Sequence, residues 1–484
     1  MNFNSVYFLF LLLPICLILF YISNERYKNL ILLFASLIFF AWGQWFYLPL
    51  MVILILLNFS AGIYINHFRE NLKKSRTLLV LIVTINIAIL IFFKAINIIG
   101  INWLKLNIDP PLLNQFSQNL LPLGISYITF QLIAYQLDIY NKVCGYEKNF
   151  INFSMYILLF PKIMVGPIAR YRSLKEQLIV RKYDVSLIAN GARRFIQGLA
   201  KKILIADQIA KIVNPAFGLP DPSFSTSIAW LVLIGYALQL YFDFSGYTDM
   251  AIGLGQMFGF TFMENFNYPY ISKSITEFWR RWHISLSSWF RDYVFYPMER
   301  KDRRAGHSHQ SLNIFFIFLL TGLWHGLTIN FVIWGLIHGA ATALETLWIG
   351  KWLKNVWAPF QHIYTISIIL FGWVFFRSST PLFALQFLAR LTGSQQGISP
   401  VSFMIMKPLP IIEPSIIAAL IFAVIFSIPF LPWVKKLWRN FANYSTVLST
   451  LGMIGTDLFT LFLFVSSIAA MISSTYVANI YGKF

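Results

Sequence analysis

Apolar runs of bilayer-spanning length recur from one end of this chain to the other, and that repetition limits the folds open to it. Residues 78–93 and 416–431 are two examples. A transmembrane helix needs about 20 mainly apolar residues. Hydrophobic residues fill 58% of the 484 positions and charged residues only 12%, against about 25% charged in a soluble domain. The expectation is an all-α membrane protein, a polytopic helical bundle of roughly 10–12 spans. The hydropathy is continuous, so residues 1–484 read as a single membrane domain.

The net charge of +19 would point to nucleic acid in a soluble protein. Here no soluble module is present to carry such binding, and a nucleic-acid partner is not expected. The basic residues gather instead in short stretches, Arg69, Lys73, Lys74 and Arg76 in one, Lys435, Lys436 and Arg439 in another. That pattern fits cytoplasmic loops under the positive-inside bias. The two cysteines, Cys16 and Cys144, have no neighbours that would form a disulfide framework or a zinc site, and no metal is expected. Residues 5–23 lack a basic leader and a small-residue cleavage site, so they read as a retained anchor. Glu25, Arg26 and Lys28 follow it, which places the loop at 24–29 in the cytoplasm.

Further segments are expected at roughly 30–66, interrupted near Gly43 and Pro49, and at 78–98. Residues 99–120 read as an outside loop and 377–414 as an outside or interfacial excursion. Phe160-Pro161-Lys162-Ile163-Met164-Val165-Gly166-Pro167 cannot be a continuous helix, because proline lacks a donor and restricts its predecessor. Broken backbone at membrane depth survives only inside protein or beside a water-filled cavity. A re-entrant segment there also keeps the basic stretch 170–182 on the cytoplasmic side. Residues 187–212 read as helical, spans follow at roughly 228–242 and 246–262, and 312–349, 362–376, 415–432 and 455–475 read as mostly membrane-embedded.

Three stretches could carry chemistry. In Gln239-Leu240-Tyr241-Phe242-Asp243-Phe244-Ser245-Gly246-Tyr247-Thr248-Asp249, two carboxylates sit in a polar break between apolar runs. Asp243 and Asp249 could orient a histidine or bind a hydroxylated acceptor, or the stretch could cap a helix start through Ser245 or Asp249. In 274–296 the aromatics follow helical spacing and Glu277, Arg280, Arg281 and Arg291 take the other side, which predicts one interfacial amphipathic helix. His283 lies at the border of its faces, and the arginines suit donor phosphates or lipid headgroups. In Gly322-Leu323-Trp324-His325-Gly326, a histidine lies between Arg304 and Glu345, an interval with no charged residue. An ionisable group at membrane depth is a functional-site hypothesis by default. His338 falls on another helix face and reads as structural. No GxSxG, HExxH or P-loop is present. A buried histidine without a nucleophilic serine motif suggests general-base catalysis on a hydroxyl that attacks an activated acyl group.

With these residues in view, the chain resembles the membrane-bound O-acyltransferase (MBOAT) family, in particular its bacterial alginate O-acetylase-like branch. The likeness runs through Leu121-Pro122-Leu123-Gly124-Ile125-Ser126-Tyr127, Phe160-Pro161 with Gly166-Pro167, Gly198-Leu199-Ala200-Lys201-Lys202 and Tyr241 to Gly255. It continues through Phe278-Trp279-Arg280-Arg281-Trp282-His283-Ile284-Ser285-Leu286-Ser287 and the Trp324-His325-Gly326 triplet. The resemblance implies His325 as the catalytic histidine and His283 as a second catalytic position. Asp243, Arg281 and Trp324 are the candidate substrate-binding residues. It also implies membrane helices around a central tunnel, entered by a cytoplasmic thioester donor from one side and an acceptor hydroxyl from the other. No bound cofactor is expected, with acetyl-CoA or another acyl thioester serving as donor substrate. Implied partners are an exported polysaccharide and a periplasmic or extracellular SGNH-type acyltransferase, and membrane lipids surround the chain in the inner (cytoplasmic) membrane.

One stretch departs from that branch. After Tyr296 the branch has a glycine-rich loop, whereas this chain reads Pro297-Met298-Glu299-Arg300-Lys301-Asp302-Arg303-Arg304. The teichoic-acid D-alanyl transferases share the histidine motif, so D-alanyl transfer stays open as an alternative, and a non-enzymatic lipid or glycan transporter as a third reading. Gly372-Trp373-Val374-Phe375-Phe376-Arg377 and the long C-terminal region favour the acetylase branch.

Overall fold

The structure is a computed structural model that describes residues 1–103, 120–181, 183–393, 413–442 and 446–473. Most of the expected outside loop at 99–120, and the part of the 377–414 excursion from 394 to 412, lie outside the described residues. Among the described residues all regular structure is helical. Six helices among the described residues are long and apolar enough to cross a membrane: Trp45–His67, Leu72–Ile96, Thr226–Met257, Ile329–Leu353, Ala358–Arg377 and Thr446–Ser473. Pro414–Phe426 and Phe430–Trp438 form a pair bent by 64°, and Phe8–Ile22, Gln310–His325 and Pro381–Leu391 are shorter apolar helices. The chain is an all-α, multi-pass membrane protein.

Two compact units divide it. Of the described residues, the first holds those in 1–195 and 248–263, the second those in 196–247 and 264–473. Helix Thr226–Met257 contributes to both. In the first unit, buried amides tie three helices together. Asn58 on Leu48–His67 and Asn86 on Leu72–Trp103 exchange hydrogen bonds of 3.0 and 2.9 Å, and Gln136 on Ile125–Tyr140 donates to the Asn58 carbonyl at 2.8 Å. Side-chain amides are the usual glue between helices that lack a hydrophobic driving force in lipid.

The expected broken segment is present and lies wholly inside protein. Helix Phe150–Leu158 stops at Leu159, a short turn Phe160–Ile163 follows, and every residue from 153 to 171 is buried. Its freed backbone groups find partners: Phe160 N donates to Ser36 Oγ at 3.0 Å, and Tyr156 donates to the Ala169 carbonyl at 3.1 Å. The fully buried Lys162 donates to Gln131 Oε1 and lies 4.6 Å from the Tyr156 ring centre.

Two expectations need correction. No break separates spans at 228–242 and 246–262. One 32-residue helix, Thr226–Met257, runs through the polar stretch, so Ser245 and Asp249 cap no helix start. The carboxylates are satisfied sideways, by partners on other elements. Asp249 pairs with Arg194 at 2.7 Å, and Asp243 pairs with Lys202 at 2.8 Å.

The single amphipathic helix expected over 274–296 is also divided. Helix Ile275–Arg281 ends at Trp282, and a second helix, Ile284–Phe290, starts after His283. His283 has φ 45°, a left-handed conformation that a non-glycine residue holds only when its surroundings over-determine it. Periodicity could not show this, because the apolar spacing continues across the break.

Close helix packing shapes the second unit. Gln310–His325 and Ile329–Leu344 form a helical hairpin around Gly326. A methyl group on Gly322 would lie 2.4 Å from the Phe331 carbonyl, and one on Gly335 would lie 2.7 Å from the Phe318 carbonyl. Only glycine permits this backbone approach, the small-residue packing common between membrane helices.

Candidate active site

The site assembles in the second unit at the C-terminal end of Gln310–His325. His325 is the last residue of that helix and is buried, 8% exposed. Aromatic rings enclose it: Trp324 at 4.7 Å between centres, Phe376 at 4.9 Å, Trp334 at 5.2 Å and Phe331 at 6.1 Å. Trp324 also lies 6.4 Å from His283, so one indole stands against both histidines. The two motifs are some forty residues apart in sequence, and the fold brings them to one place.

His283 is 2% exposed. The Phe244 ring meets it edge-on at 4.7 Å. Its Nδ1 lies 3.2 Å from Asn265 Oδ1, and the same oxygen accepts from Ser285 N and Ser285 Oγ, each at 3.0 Å. The Asn265 carbonyl accepts from Ile284 N at 3.0 Å. Burial pushes the imidazole pKa down to about 3, because a desolvated ring disfavours its charged form. His283 is therefore neutral at physiological pH.

The helix that leads into His283 is held from a distance. Glu345 accepts from Ile275 N at 2.7 Å, Thr276 N at 2.8 Å and the Thr276 hydroxyl at 2.6 Å. A buried carboxylate thus occupies the N-terminus of Ile275–Arg281, where orphan N–H groups and the helix dipole favour negative charge. Ser274 caps the same turn through Glu277 N at 3.0 Å.

Asp243 is fully buried. It shares Lys202 with Asp207, at 2.8 and 2.6 Å. It precedes Phe244, so the pair anchors the turn of helix whose next residue touches His283. Arg281 is partly exposed and engaged twice, with Glu277 at 2.9 Å and the Asn267 carbonyl at 3.1 Å. His338 lies inside the aromatic cluster, 5.0 Å from Trp334 and 5.1 Å from Trp279, and neither ring nitrogen has a hydrogen-bond partner among the described residues. The sequence reading missed Asn265, Lys202, Asp207 and Glu345 as supports. Asn265 in Glu264-Asn265-Phe266-Asn267-Tyr268-Pro269 and Glu345 in an apolar run carry no local signal of their partners.

A neutral histidine beside a buried histidine, both walled by aromatic rings, can accept a proton and exclude water from an activated acyl group. Residues 73–385 match the membrane-bound O-acyltransferase family. This chain belongs to that family. Such an enzyme is an O-acyltransferase and uses an acyl donor. The chain is 42% identical over 381 residues to the probable alginate O-acetylase AlgI of Pseudomonas aeruginosa, covering 78% of this chain and 72% of that protein. It is 32% identical over 432 residues to the peptidoglycan O-acetyltransferase of Helicobacter pylori, covering 81% and 80%. Against the teichoic acid D-alanyltransferase of Bacillus subtilis it is 33% identical over 260 residues, covering 51% and 65%.

Proposed function

We propose that this membrane O-acyltransferase moves an acetyl group from a cytoplasmic thioester, acetyl-CoA or another acyl thioester, toward hydroxyls of an exported polysaccharide. The observation that carries the reading is the placement of His283 and His325 near one indole, Trp324, among aromatic rings. His325 acts as general base. It takes the proton of the attacking hydroxyl as the oxygen bonds to the acyl carbon, and returns a proton to the thiolate that leaves when the carbon–sulfur bond breaks. His283 positions the donor or the oxyanion. Trp324 shapes the wall, Asp243 orients its helix through Lys202, and Arg281 holds the donor's phosphates.

A tunnel open to both compartments gives the two substrates separate entrances. The acyl group passes on to the polymer through a periplasmic or extracellular SGNH-type partner, and the enzyme resides in the inner membrane. The longer and closer likeness to alginate O-acetylases favours acetyl over D-alanyl transfer.

Mass analysis of surface glycans from a deletion strain tests the reading. Loss of an acetyl increment supports it, and loss of an alanine increment instead sinks the acetyl assignment. Complementation with His325→Ala should fail to restore acylation while the protein still inserts in the membrane. Full restoration by that variant rules out the enzymatic role of His325.

A further inference from the structure

His283 Nδ1 and Asn265 Oδ1 are 3.2 Å apart, and which atom donates depends on the imidazole tautomer. The surroundings decide it. Ser285 N lies 3.0 Å from the same Asn265 atom, and a backbone N–H can only donate. The atom facing it is therefore the carbonyl oxygen, not the amide nitrogen, and the Ser285 hydroxyl at 3.0 Å agrees. A carbonyl oxygen only accepts, so His283 Nδ1 must carry the hydrogen. In a neutral imidazole the other nitrogen then holds the lone pair.

The backbone supports the same arrangement. His283 sits at φ 45° and ψ 53° between two seven-residue helices. Asn265 holds the kink and the first turn after it, through its backbone oxygen to Ile284 N at 3.0 Å and through its side chain to residues 283 and 285. Asn265 is itself only 1% exposed, so water does not compete for the contact.

We propose that Asn265 is a positioning residue that locks His283 in its Nδ1–H tautomer and sets Nε2 as a hydrogen-bond acceptor toward substrate. This rests on the reading of His283 as a site residue given above, and it changes that residue's part. A lone pair at Nε2 repels an oxyanion. It suits a substrate O–H or N–H, so His283 orients a donating group while the oxyanion is met elsewhere.

The test uses membrane vesicles carrying the full-length chain, with acetyl-CoA as the probe donor. Asn265→Ala removes the acceptor that orients the ring and should lower kcat about 10–100-fold, the scale on which a misplacement of about 1 Å costs turnover. KM for acetyl-CoA should stay within about threefold, because the contact is not to the donor. Asn265→Asp keeps an acceptor oxygen against Nδ1 and should recover kcat to within about tenfold of wild type. Wild-type kcat in Asn265→Ala overturns the proposal. So does an Asn265→Asp variant that inserts normally but is as inactive as the alanine form. If Asn265→Ala fails to insert, the aspartate variant alone decides. His325→Ala is measured in parallel: activity there defeats the parent reading, whereas an inactive His325→Ala beside a fully active Asn265→Ala defeats only the tautomer assignment.

Discussion

The carboxylate of Asp243 lies 2.8 Å from the ammonium of Lys202, and neither side chain reaches solvent. Asp207 approaches the same ammonium at 2.6 Å. One buried cation therefore balances two carboxylates. Breaking a buried pair by removing one partner costs about 3–5 kcal/mol, since the remaining charge is left uncompensated. Lys202→Met should be more damaging than Asp243→Asn, because it strands two charges instead of relieving one. Thermal unfolding of the detergent-solubilised protein ranks the two, and equal or reversed losses would contradict the shared-cation arrangement.

The Trp324 ring lies near both histidines, 6.4 Å from His283 and 4.7 Å from His325 between centres. Trp324→Ala should destabilise the protein by about 3–5 kcal/mol through the void it leaves. It should also cut turnover about 100-fold by letting the two rings move out of register. Trp324→Phe keeps most of the wedge and should recover more than half of that loss in activity. Turnover and melting temperature measured on both variants check this. An alanine variant with normal turnover would show that the indole is packing alone.

Glu345 receives two backbone N–H groups and one hydroxyl at the start of the helix leading to His283. Glu345→Ala leaves those buried donors unmade, at about 1–3 kcal/mol for each. Local opening of residues 275–281 should follow, read as faster amide hydrogen exchange in that helix relative to Thr226–Met257. Unchanged protection would mean that Ser274 caps the helix without help.

Burial holds the His283 imidazole pKa down to about 3, against about 6.5 in an unfolded chain. The folded value is depressed, so this group's share of stability is intact above pH 6.5 and is lost as pH falls from there toward 3. Melting temperature should therefore decline across that window, and His283→Asn should decline less. For the same reason His283 should add no acid limb to the activity profile between pH 5 and 8. A limb in that range that disappears in His283→Gln, with activity otherwise kept, would contradict the neutral assignment.

Lipid solubility and helical class were written in the chain's hydropathy, because about 20 apolar residues in a row can satisfy their backbone in a bilayer only locally. The Phe160-Pro161 break was legible for the same local reason: proline acts on its own hydrogen bond and its own neighbour. His325 and His283 stood out as rare ionisable groups inside otherwise apolar or aromatic stretches. Motif likeness added their pairing, which spacing alone did not.

What the sequence left undecided were relationships across elements. Asp249 looked like a helix cap and instead meets Arg194 from inside a continuous helix. Whether a polar residue ends a helix or bridges two depends on what another helix presents to it. The aromatic periodicity of 274–296 ran smoothly across His283, yet the tertiary structure bends the backbone there, where Asn265 supplies acceptors to His283 and to the first turn after it. The sequence by itself determined which residues could be buried in a membrane and which of them could take a proton. Only the folded arrangement decided which partners those residues met, because a hydrogen bond or a buried ion pair is set by positions in space that residues eighteen or seventy places apart in the chain do not announce.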